Sequence, residues 1–129
     1  GGVKHLENGT HTVEQCAGRV LATVVSRPNE NRAILDAGSK SLSAATATYG
    51  GSACMGYIVE YPQARLSGAS EEHGQVDLSA SEKKPQIGER VQIVLAHPCP
   101  CVNEHDQIYA LRKGEVEAIW AVDARGRIR

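Results

Sequence analysis

The sequence predicts a mainly β domain, a small barrel or sandwich carrying one or two short helices, and three observations predict it. Apolar residues fall in short runs rich in Val, Ile and Leu; those runs end at Gly, Pro or Asn; and no stretch sustains a helical repeat beyond a turn or two. The 129 residues make one domain, 1–129, enough to bury a single core but short for an enzyme enclosing a large cofactor. With no phenylalanine, Leu, Ile, Val and the one tryptophan are left to fill the interior, which suits a small barrel.

The elements follow in chain order. Around Thr10–Gly18, Thr12 and Gln15 have capping-box spacing and predict a turn or two of helix. Arg19–Pro28 and Asn31–Gly38 are β-branched, apolar runs ended by turn formers, and they predict neighbouring strands. Ser41–Ala47 offers a second short helix, and Cys54–Pro62 a further strand. In Glu89–Pro98, Val91, Ile93 and Leu95 alternate with Arg90, Gln92 and Val94, so one face should enter the core. Gln107–Val122 reads as a hairpin turning at Lys113 and Gly114, with Val116, Ala118, Trp120 and Val122 on one face. Several short strands between turn residues argue for a barrel or sandwich.

Composition excludes several classes of function. A formal net charge of −1 with interspersed signs leaves no footprint for nucleic acid or an anionic membrane. No apolar run nears the roughly 20 residues that span a bilayer, and the start lacks a charged-then-apolar signal pattern, so a soluble, cytoplasmic protein is expected. Cys16, Cys54, Cys99 and Cys101 are not spaced as an extracellular disulfide framework, which favours free or metal-bound thiols.

The stretch "LAHPCPCVN" (Leu95–Asn103) concentrates the chemistry. In an extended chain His97, Cys99 and Cys101 project to one side, the first two α-carbons about 6.6 Å apart. Zinc–sulfur and zinc–nitrogen bonds of about 2.3 and 2.0 Å fit one ion between them. Pro98 and Pro100 lack an N–H, so the piece reads as a stiff rim segment delivered by the strand before it. Three plainer accounts stand beside an open metal site. These are a Cys99–Cys101 disulfide of poor geometry, a closed structural zinc site of His97, Cys99, Cys101 and His105, and thiols that are simply buried beside a core histidine.

Taken in order, "RVLATVVSRPNENRAILDAGSKSLS" (19–43), "SEEHG" (70–74) and "IGERVQIVLAHPCPCVN" (87–103) resemble the C-terminal domain of the D-threonine aldolase and D-serine dehydratase-like family, fold-type III pyridoxal phosphate enzymes related in architecture to alanine racemase. The likeness runs from about Glu14 to the end. It implies that an N-terminal (β/α)8 barrel, absent from this chain, carries pyridoxal phosphate on its own lysine. The β-domain then supplies a metal at the cofactor's edge, through a His-x-Cys pair matched by His97 and Cys99. Cys101 stands where the family usually has threonine and is a candidate extra ligand. Two protein ligands leave positions open for water or substrate, and thiolate softness leans toward zinc and the dehydratase-like branch. The implied substrate is a D-β-hydroxy amino acid, dehydrated or cleaved in retro-aldol fashion, and the implied assembly is a homodimer.

Glu72 and His73 are candidate second-shell groups or ligands, although a polar loop ended by Gly74 is the plainer account. Asp36 and Lys40 are assigned to the domain interface or site entrance; Lys40, in a turn after a strand, is not expected to bind the cofactor. The terminal "ARGRIR" reads as a solvated tail or a contact with the absent domain. Lacking a glycine-rich βα loop and barrel repeats, the chain alone is expected to be inactive. The alternative is a stand-alone structural zinc-binding or interaction module without catalysis.

Overall fold

Strand β1 (Arg19–Asn29) organises the fold, because its 11 residues are long enough to serve two neighbours. The computed structural model describes residues 1–127. Residues Arg19 to Thr23 pair antiparallel with β8 (Arg90–Leu95), whereas Val24 to Asn29 pair with β2 (Arg32–Leu35). Irregularities after Val24 and Ser26 bend the strand between its two partners and accommodate Pro28, which cannot donate to a ladder. The adjacent strands expected at Arg19–Pro28 and Asn31–Gly38 are therefore present.

Six strands form one antiparallel sheet in the order β5-β8-β1-β2-β7-β6, with β5 (Gly56–Ile58), β6 (Arg65–Ala69) and β7 (Gly74–Asp77) completing it. The two outer strands approach each other: the Met55 N–H, just before β5, donates to the Leu66 carbonyl of β6 at 2.9 Å. The sheet thus nearly closes into a barrel, which leaves little free edge. Inside lie Ala22, Val24, Leu35, Leu66, Val76, Val91 and Ile93, each at most 2% exposed, with Leu95 at the end of β8. The alternation read in Val91, Ile93 and Leu95 holds, and Val94 on the other face is buried as well.

Among the described residues three short helices rather than one or two decorate the barrel: α1 (Val3–Glu7), α2 (Ser39–Leu42) and α3 (Pro98–Glu104). The helix expected near Thr10–Gly18 is only a turn. The Thr12 N–H reaches Gln15 Oε1 at 2.8 Å, half of a capping box, and the chain turns once before Cys16. A small hairpin, β3 (Ala47–Tyr49) and β4 (Ser52–Cys54), turns at Gly50 and Gly51, whose φ values of 57° and 76° suit glycine. The strand expected over Cys54–Pro62 is confined to β5, after which the chain turns through Tyr61. Among the described residues no helix is long and apolar enough to cross a membrane.

The hairpin of β9 (Gln107–Arg112) and β10 (Glu115–Ala121) turns at Lys113 and Gly114 as expected, but it does not feed the core. Trp120, expected inside, is 57% exposed, because the barrel closes without this hairpin and leaves its apolar residues outside. Opposite residues on paired strands share a face, so Tyr109 with Ile119 and Leu111 with Val116 make one exposed apolar strip. Arg125 of the tail pairs with Asp106 at 2.7 Å; residues 128 and 129 lie outside the described residues.

Candidate functional site

Helix α2 joins the three stretches that the sequence singles out. At its start the N–H groups of Ser39 and Lys40 donate to the carbonyls of Ser70 and Glu71, at 2.9 and 3.1 Å, which ties "DAGSK" to "SEEHG". At its end the Ser41 carbonyl accepts the Cys101 thiol at 3.1 Å and faces His105 Nε2 at 2.9 Å, so that nitrogen carries the proton and donates. Ser43 then takes a φ of 68°, rare for a residue with a side chain, and its N–H is held by Glu104 Oε2 at 3.1 Å. Helix α3 is in this way fastened along α2.

The extended rim expected over 97–101 is a helix instead. His97 is its N-cap, with extended φ and ψ of −142° and 109°, and Pro98 occupies the first helical position. The first turn of a helix has no intrahelical use for its N–H groups, so prolines there cost little and preset φ. A helical turn does not put residues 97, 99 and 101 on one side: His97 and Cys99 are exposed, whereas Cys101 is buried at 2% against the core. Burial, and then the Glu104 carboxylate, pushes the Cys101 thiol up to about 11, so it stays a protonated hydrogen-bond donor. All four cysteines are free, with no Cys99–Cys101 bond.

The remaining candidates are each engaged in local contacts. Lys40 Nζ lies 2.5 Å from Glu72 Oε1 in an exposed pair, and the Glu72 hydrogen bond and charge raise the Lys40 pKa. Asp36 Oδ1 accepts the Thr23 N–H at 2.6 Å, locking β2 to β1 where the "DAGSK" turn begins. His73 is exposed, and its backbone closes a turn with Ser70. Among the described residues no three His, Cys, Asp or Glu side chains converge to hold a metal ion. His97 and Cys99, one borderline and one soft donor two residues apart, are both exposed to solvent. Sequence reasoning missed Ser41 and Glu104, whose roles rest on a backbone carbonyl and on a strained φ that no motif announces.

Fold and site together define a nearly closed antiparallel β-barrel domain that presents an exposed His-x-Cys pair beside a helix clamp. Residues 17–111 match the family model described as "Putative serine dehydratase domain", and the chain belongs to that family. D-threonine aldolase of Arthrobacter sp. is 39% identical over 107 residues, 83% of this chain and 26% of that enzyme. The solved D-threonine aldolase of Filomicrobium marinum superposes with a TM-score of 0.73 at 33% identity, covering 86% of this chain and 29% of that one. The chain thus spans about a quarter of these enzymes' length. It spans far more of the uncharacterized protein Rv1414 of Mycobacterium tuberculosis, which is 30% identical over 131 residues, 98% of this chain and 97% of that protein.

Proposed function

We propose that this domain is the metal-carrying β-part of a pyridoxal phosphate-dependent lyase acting on D-β-hydroxy amino acids, with His97 and Cys99 as its metal ligands. The observation that carries the reading is the His97–Cys99 pair, exposed where β8 gives way to α3, in a chain that belongs to the serine dehydratase domain family. The donor set fits zinc better than manganese or magnesium, because a thiolate is a soft ligand. Two protein donors leave coordination positions for water or a substrate oxygen. When bound, the metal supplies Lewis acidity at the substrate's β-oxygen, and pyridoxal phosphate supplies the electron sink.

This chain's own contribution is positioning. Cap geometry fixes His97, the helical turn fixes Cys99, and the Cys101, His105 and Glu104 bonds to α2 hold that turn in place. The cofactor lysine and phosphate cradle belong in this reading to a (β/α)8 barrel, as part of a homodimeric enzyme of the cytoplasm, and the isolated β-domain is inactive. The exposed strip of Tyr109, Leu111, Val116 and Ile119, with Trp120 behind it, supports a contact surface for that barrel.

A second reading has its own observation: Rv1414 has nearly the length of this chain, which favours a stand-alone module. Elemental analysis of the protein purified without chelator or added metal separates the two. Near-stoichiometric zinc that is lost in Cys99→Ala and kept in Cys101→Ala supports the open pair. Zinc that needs both thiols, or needs His105, refutes it in favour of a closed structural site.

A further inference from the structure

Where β5 and β6 face each other, beside the β3–β4 hairpin, lies a cleft of about 300 Å³ that plays no part in the reading above. Its walls are Tyr49 and Tyr57, whose rings meet edge to face at 5.1 Å, with Cys54 among the lining residues and Arg65 and Asp77 also reaching it. We propose that this cleft binds a small organic carboxylate with a flat apolar body, its carboxylate on the Arg65 guanidinium and its body against the tyrosine pair.

The hydrogen-bond inventory carries the anionic half. A guanidinium offers five N–H donors. Arg65 spends one, Nη2 to Asp77 Oδ2 at 3.2 Å, and its buried Nε has no partner. The Nη groups, on a side chain 42% exposed, are the ones a ligand can reach, and a planar fork with donors to spare suits a carboxylate. Asp77 is a poor counterpart for a cationic ligand. Its Oδ1 accepts both the N–H and the hydroxyl of Ser79, and its Oδ2 already accepts Arg65, whose positive charge neutralises the carboxylate and sits where an ammonium group would have to approach. No other carboxylate lines the cleft among the described residues.

The apolar half follows from the walls. Tyr49 and Tyr57 present ring faces and edges at a separation favoured by aromatic contacts, and Ala64 and Pro62 continue the apolar lining. The volume sits at the lower end of the range for small-molecule sites and holds one ring with a short acid arm. Arg65 and Asp77 are directly paired across β6 and β7, so both groups are presented from a rigid sheet.

The test is titration of the full 129-residue chain with phenylacetate, 2-phenylethanol and inorganic phosphate, followed by amide and tyrosine-ring NMR shifts. Saturable shifts around Tyr49, Tyr57 and Arg65 with phenylacetate, weaker by tenfold or more with the alcohol, are expected. Arg65→Gln is expected to lose the acid's advantage over the alcohol. Because Arg65→Gln also breaks the Asp77 pair, Tyr57→Leu is read in parallel, and it should weaken acid and alcohol alike. Equal affinity for acid and alcohol, binding of phosphate as tight as that of phenylacetate, or no saturable shift at millimolar concentration would each overturn the proposal.

Discussion

Replacing Gly38 by alanine tests the claim that α2 is the hub of the site. A Cβ built there would lie 2.4 Å from the Glu71 carbonyl oxygen and 2.5 Å from both the Glu71 carbonyl carbon and the His73 nitrogen. All three are backbone atoms, so no side chain can swing aside. Gly38 has a φ of −108°, which any residue adopts, so the penalty is steric rather than conformational. Relief requires "DAGSK" and "SEEHG" to separate by about 1 Å, an overpacking cost of about 1–3 kcal/mol. The Ser39 to Ser70 and Lys40 to Glu71 bonds of 2.9 and 3.1 Å are stretched with it, at about 1 kcal/mol each. The expected destabilisation is about 3–5 kcal/mol, roughly 10 °C or more in melting temperature for a domain of this size. Urea unfolding of Gly38→Ala, beside Gly68→Ala as a control with nothing within 4 Å of its added methyl group, measures it. A loss under about 1 kcal/mol in Gly38→Ala, or an equal loss in both variants, refutes the hub.

The Tyr61 hydroxyl donates to Glu89, and burial first and then that carboxylate push the tyrosine up to about 12 from its ordinary 10.0, while the same bond lowers Glu89. A raised tyrosine contributes stability that is complete below pH 10 and lost as pH climbs toward about 12; the lowered carboxylate contributes stability lost as pH falls through the acid range. Tyr61→Phe is accordingly expected to flatten the alkaline limb of a stability-versus-pH curve, and an unchanged limb counts against the pair. Trp120, the one tryptophan, should emit as a solvated indole and be quenched freely by acrylamide, whereas a protected, blue-shifted emission would contradict the exposed hairpin. Glu72→Gln removes the partner of Lys40 in a solvent-screened pair, so the unfolding midpoint and the zinc content should both stay unchanged; zinc loss would make Glu72 a ligand.

Strand periodicity was legible where a strand was long and half-buried: β1, β2 and β8 announce themselves by alternation and by the turn residues that end them. Short elements were not. Five residues of α1 carry too little period to read, and the three-residue strands β3 and β4 on either side of Gly50 and Gly51 are too short to show an alternation. The instructive miss is α3. Alternate prolines look extended because proline is judged by what it does inside a helix, yet at the start of one it removes only N–H groups that have no partner there. That single change of backbone divides the thiols by task. In a strand Cys101 would stand beside Cys99 as a third ligand; on a helical turn it faces inward, becomes a donor to Ser41, and leaves His97 and Cys99 exposed together. The motif therefore combines two jobs in five residues: an exposed pair with the chemistry of metal ligands, and a buried thiol that holds the turn carrying them. A threonine at position 101 could make the same bond to Ser41 with a hydroxyl, so Cys101→Thr is expected to preserve both fold and metal content. Loss of zinc in that variant alone would return Cys101 to the ligand set.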